Sequence, residues 1–84
     1  MTEGEIRDSI FQIIHRIAPE ADLNRLSPGD DLRESLDIDS FDFLNVLVGI
    51  NDRFGVNIPE ADYRQVSTLG GMMEYINKRI LAKR

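Results

Sequence analysis

The chain has 84 residues, a net charge of −5 and no cysteine. At that length one domain, residues 1–84, with a single modest core is expected, burying about 60–65% of the surface its unfolded chain would expose. Excess acid repels phosphate backbones and anionic lipid, and without cysteine there is no disulfide, thiolate metal site or intrinsic thiol nucleophile, so a monomer with no nucleic-acid and no membrane partner is expected.

The opening residues, Met1-Thr2-Glu3-Gly4-Glu5, are acidic where targeting leaders are basic. No apolar run approaches the ~20 residues of a membrane span, and a cytoplasmic protein is expected. Thr2 and Glu5 have capping-box spacing. Ile6, Ile10, Ile13, Ile14 and Ile17 then form an apolar stripe, which predicts an amphipathic first helix. Ala18-Pro19 ends it, because proline disfavours helical backbone in the residue before it. His15, the only histidine, stands beside this stripe with no nucleophile near it in sequence and is assigned no chemistry.

From Pro19 to Ile38 runs a long connection with a turn signal at Pro28-Gly29-Asp30-Asp31. Loops this long in small domains are functional or tied down, and Leu23, Leu26, Leu32 and Leu36 would pin this one to the bundle through a short turn of helix. Asp37 and Asp39 near Asp30-Asp31 invite a calcium reading. The EF-hand pattern fails, since Phe41 holds a ligand position and Asp42 the glycine position, and no metal site is expected.

Asp39 is a suitable N-cap for a second helix from Ser40 to about Arg53, with Gly55 as a left-handed C-cap. Ser40 then takes the first helical position, its hydroxyl at an exposed corner where another protein can modify it. Phe43, Val46, Leu47, Ile50 and Phe54 form one apolar stripe on this helix; Phe41, Leu44 and Val48 form a neighbouring one. So small a domain cannot easily bury both, and the second stripe is expected to face outward.

Ile58-Pro59-Glu60 begins a short third helix through about Val66, proline suiting a first turn. Ser67-Thr68 caps the last helix, whose core stripe is Leu69, Met72, Met73, Ile76 and Ile80. Gly70 and Gly71 weaken its first turn by up to roughly 1 kcal/mol each relative to alanine. Lys78, Arg79, Lys83 and Arg84 lie towards its end, where cations suit the helix dipole. The expected fold is all-α: a four-helix bundle of three longer helices and one short one, with a long loop between the first two.

Leu36-Asp37-Ile38-Asp39-Ser40-Phe41, Phe54-Gly55-Val56-Asn57-Ile58-Pro59, Ser67-Thr68-Leu69 and Tyr75-Ile76 together resemble the acyl carrier proteins. The resemblance spans nearly the whole chain in the family's order of elements. It implies a carrier and not an enzyme, consistent with a chain from which no acid, base and nucleophile set can be assembled. It implies that Ser40 receives 4′-phosphopantetheine from coenzyme A through a phosphopantetheinyl transferase (holo-ACP synthase), which with magnesium stabilises the developing charge. The arm's thiol then holds cargo as a thioester, a borrowed sulfur for a chain that has no cysteine.

Further partners implied are acyl-ACP synthetases, ketoacyl synthases and acyltransferases of fatty acid, lipid or polyketide synthesis. Asp39 and Asp42 would meet their lysines or arginines, besides capping the helix and offsetting its dipole. Phe41, Leu44 and Val48 would supply apolar partner contacts, the alternative being packing under the loop. Val46, Leu47, Ile50 and Ile76 would border an acyl-chain pocket, the alternative being ordinary core. Three departures from the family's usual pattern are Asp37 for glycine, Phe41 for leucine, and Asn45, Asn51 and Arg53 at positions that are often acidic. The last group suggests a dedicated carrier for a specialised pathway. Peptidyl or aminoacyl cargo, or an unmodified acidic helical adaptor, are the alternative readings.

Overall fold

Side-chain caps set most helix starts in the computed structural model, which describes residues 2–82. Helix α1 spans Glu3–Ile17. The Thr2 hydroxyl accepts from the Glu5 amide and the Glu5 carboxylate accepts from the Thr2 amide, both at 3.2 Å. Those hydrogen bonds favour the charged form, so the Glu5 carboxyl is held below its ordinary range. Ile6, Ile10, Ile13 and Ile14 are buried on one face.

The long connection is not free chain. It contains a 3-10 turn at Leu23–Arg25 and a five-residue helix, α2, at Leu32–Leu36, capped by the Asp31 carboxylate on the Glu34 amide at 3.0 Å. Two backbone hydrogen bonds fasten it to the far end of the chain: the Leu32 amide to the Ser67 carbonyl and the Gly70 amide to the Pro28 carbonyl, each 2.8 Å. Leu32 and Leu36 are buried, whereas Leu23 and Leu26 pack partly against the core. Asp37 closes α2 in the left-handed region, φ 53° and ψ 45°, a conformation that glycine adopts more freely than aspartate.

Helix α3 spans Ser40–Phe54, one residue longer than expected. The Asp39 carboxylate accepts from the Asp42 amide at 2.8 Å, and Gly55 ends the helix with φ 67°. Phe43, Val46, Leu47 and Ile50 are buried. Phe54, expected beside them, is only half-buried, because it is the last helical residue and the chain turns away at Gly55. Phe41, Leu44 and Val48 are 71%, 42% and 58% exposed, so the second stripe does face outward.

The next segment, Glu60–Val66, is a 3-10 helix. Pro59 caps it from extended backbone instead of taking the first helical place, its carbonyl accepting from the Asp62 amide at 2.8 Å. Helix α4 spans Leu69–Ala82. Thr68 alone caps it through the Gly71 amide at 3.1 Å, because the Ser67 hydroxyl donates to the Arg64 carbonyl. The expected weakness at the two glycines has a compensation. A Cβ on Gly70 would lie 3.0 Å from the Pro28 carbonyl oxygen, and one on Gly71 would collide with the Gln65 carbonyl oxygen. Their bare backbones let the loop and the 3-10 helix dock tightly on α4. Of the cations expected near its end, Lys83 and Arg84 lie outside the described residues.

Ile6, Ile10, Ile14, Leu32, Ile50, Val66, Met72 and Ile76 meet in one continuous core. Burial of each such side chain contributes about 1.5–3 kcal/mol. The all-α architecture is a four-helix bundle of α1, α3, the 3-10 helix and α4, with α2 as an added turn in the loop. A polar triangle fastens the 3-10 helix to α4: the Tyr75 hydroxyl donates to Asp62 at 2.7 Å, and Arg79 donates to that hydroxyl at 2.8 Å and to Asp62 at 3.3 Å. No helix among the described residues is long and apolar enough to cross a membrane.

Candidate functional site

Ser40 begins α3 and is exposed. Asp39 fixes the local geometry: with its carboxylate committed to the Asp42 amide, the first turn is locked and Ser40 sits on its rim. The positive end of the α3 dipole favours an anion at this rim. Asp39 is exposed and Asp42 half-buried beside it, so the rim around Ser40 is acidic, and one cation reaches its hydroxyl.

That cation is Arg33 on α2. Its Nη1 donates to Ser40 Oγ at 3.4 Å, and its guanidinium lies 5.6 Å over the ring of Phe43. Among the described residues no side chain stands as a base to the Ser40 hydroxyl; its hydrogen-bond partner is a donor.

Two open hollows adjoin Ser40. One is lined by Glu34, Asp37, Ile38 and Asp39 together with Arg33. The other is a groove of about 490 Å³ running past Phe43 and Leu44 to Tyr63 and Arg64. Their openness leaves room for a substituent on the hydroxyl, and Arg33 offers a counter-charge for a phosphate there. The residues present thus fit a phosphate-linked arm.

The residues selected from sequence separate into three groups. Ser40, Asp39 and Asp42 come together at the α3 rim. Phe41 and Val48 lie on the exposed stripe, Leu44 at its junction with the groove. Val46, Leu47, Ile50 and Ile76 belong to the packed core. Phe43 joins the two regions, being buried yet lining the groove. Arg33, Tyr63 and Arg64 escaped sequence reasoning. Arg33 stands seven residues before Ser40 in a connection without periodicity; a lone cation among acids was its sole signal.

The model of the phosphopantetheine attachment site family matches residues 8–76. The chain is 34% identical over 79 residues to the acyl carrier protein of Thermobifida fusca, covering 92% of this chain and 96% of that one. It is 33% identical over 76 residues to the acyl carrier protein of Lactobacillus johnsonii, covering 90% and 94%. Against the meromycolate extension acyl carrier protein of Mycobacterium tuberculosis the identity is 31% over 78 residues, covering 93% and 67%. The chain belongs to the acyl carrier protein family. Membership makes it a carrier and not a catalyst, with a covalently attached 4′-phosphopantetheine as its prosthetic group.

Proposed function

We propose that Ser40 is the attachment point of the 4′-phosphopantetheine arm and that the chain carries acyl thioesters on it, presenting them to biosynthetic enzymes. The observation that supports this best is the exposed Ser40 hydroxyl on the capped first turn of α3, open on both sides. When bound, the arm supplies a terminal thiol for the thioester.

The chain's own residues have plainer tasks. Asp39 keeps the first turn wound so that Ser40 is presented outward. Asp39 and Asp42 steer and orient basic surfaces of a phosphopantetheinyl transferase and of later enzymes. Phe41, Leu44 and Val48 offer those enzymes apolar contact. Val46, Leu47, Ile50 and Ile76 would line the path of an acyl chain entering between Phe43 and Leu44, which requires the core to part. Asn45, Asn51 and Arg53 are exposed on α3 where the family is often acidic, which supports a dedicated carrier serving a specialised pathway.

Co-expression with a broad-specificity phosphopantetheinyl transferase tests the attachment. Intact-mass measurement should show one added phosphopantetheine on the wild type and none on Ser40→Ala. An unmodified wild type, or an addition that survives in Ser40→Ala, defeats the assignment. The specialised role is tested with a housekeeping ketoacyl synthase, which should turn over the acylated protein more slowly than its usual carrier.

A further inference from the structure

Arg33 is oddly placed for an ordinary surface arginine. It projects from a five-residue helix whose position is set by buried Leu32 and Leu36 and by the Leu32–Ser67 backbone hydrogen bond. Acidic side chains surround it: Asp31, Glu34, Asp37 and Asp39 line the same hollow. Even so, among the described residues Arg33, like Arg16, Arg53 and Arg64, makes no ion pair within 4.0 Å, whereas Arg7, Arg25, Lys78 and Arg79 each do. Its guanidinium rests instead on the Phe43 ring and points an Nη at Ser40 Oγ.

A neutral hydroxyl at 3.4 Å is a weak partner for a guanidinium; a phosphodiester is a strong one, because its two non-bridging oxygens match the planar fork of donors. A phosphodiester formed on Ser40 puts those oxygens on phosphorus, two bonds from the Oγ that Arg33 already faces. Stacking on Phe43 holds the fork in place and lowers the ordering cost of the contact. We propose that Arg33 is a positioning residue that clamps the phosphate of the arm in cis. The inference rests on Ser40 being the attachment point. The clamp offsets the charge that modification adds to an already acidic rim. The ligand class is a phosphate monoanion ester-linked to the same chain, distinct from any partner's phosphate.

The test compares wild type, Arg33→Gln and Arg33→Lys, each before and after modification, with intact mass establishing the extent of loading. In the wild type, loading should move the Arg33 Nε–Hε signal in nitrogen–proton spectra. The phosphorus resonance of loaded wild type should differ from that of loaded Arg33→Gln, with Arg33→Lys between them. Loading should also raise Tm in the wild type, and Arg33→Gln should lose about 4 °C of that rise, each loaded protein being compared with its own unmodified form. A purely structural role for Arg33 would not alter the phosphorus signal. Fully loaded wild type and Arg33→Gln with the same phosphorus resonance and the same Tm response overturn the clamp while leaving the attachment reading intact. If Arg33→Gln escapes loading, the wild-type comparison decides alone, and an unmoved Arg33 signal overturns the clamp. A wild type that never loads at Ser40 removes the attachment reading and the clamp with it.

Discussion

Helices α1 and α3 cross so closely that a Cβ built on Gly49 would lie 2.6 Å from Cγ2 of Ile13. Ile13 is buried and its contacting methyl is fixed to a branched Cβ, so it has little freedom to yield. Gly49→Ala should therefore destabilise the protein. Overpacking costs about 1–3 kcal/mol and the gain in helix propensity returns about 1 kcal/mol, leaving a net loss of up to roughly 2 kcal/mol. Combining it with Ile13→Ala should cost less than the sum of the single changes, because the second substitution vacates the contested space. Gly29→Ala is the control: nothing lies within 4 Å of its Cβ, and a gain of about 0.4–1 kcal/mol is expected. Urea midpoints at constant m value decide it; a Gly49→Ala protein as stable as wild type would show that the crossing is looser than described.

Asp37 holds a left-handed backbone at φ 53°. Aspartate tolerates this region better than most residues, but glycine occupies it freely. Asp37→Gly should raise stability by up to about 1 kcal/mol, or a few degrees in Tm, whereas Asp37→Val should lower it. The reverse order of melting temperatures would mean that the turn differs in solution.

Removing the α3 cap with Asp39→Ala leaves the Asp42 amide without the carboxylate 2.8 Å away. A loss of about 0.5–2 kcal/mol is expected, with Asp39→Asn retaining most of the stability. Amide exchange at Asp42 should accelerate in Asp39→Ala before any global change. Unaltered exchange at that amide would count against the cap.

Tyr75 is buried, and burial first, then its hydrogen bond to Asp62, raises its pKa above the ordinary 10.0. The folded state thus holds the phenol proton more tightly than the unfolded chain. Its contribution to stability is complete below the unfolded value near pH 10 and is lost as pH climbs through the folded value. Tyr75→Phe should flatten this alkaline decline in a denaturant series taken from pH 8 upward, at the expense of a lower plateau at neutral pH. An identical alkaline slope in both proteins would remove Tyr75 as its source.

The exposed stripe separates binding from folding. Phe41→Ser and Val48→Ser replace side chains that are 71% and 58% exposed, so stability should change by no more than about 0.5 kcal/mol. If partners dock there, kcat/KM for transferase or synthase should fall more than about fivefold. Unchanged rates with every partner tried would reassign the stripe to simple surface.

Much of this was legible along the chain because the chemistry is local. The Thr2–Glu5 box, the Asp39 cap and the Gly55 stop each join residues three or four apart, and the isoleucines of α1 repeat with the helix period. These determine where helices begin, end and turn their apolar sides, and hence that Ser40 opens one of them. Pro59 was misjudged by a residue, since local propensity does not distinguish a 3-10 start from an α start.

What tertiary structure decided is which distant groups meet. The Leu32–Ser67 and Gly70–Pro28 hydrogen bonds, the closeness of Gly49 to Ile13, and the Asp62–Tyr75–Arg79 triangle all join separate segments. So does Arg33, whose place beside Ser40 follows from how α2 is pinned against the start of α4. Side-chain period and capping act over one turn of backbone; the docking of one segment on another depends on the shape of the whole core.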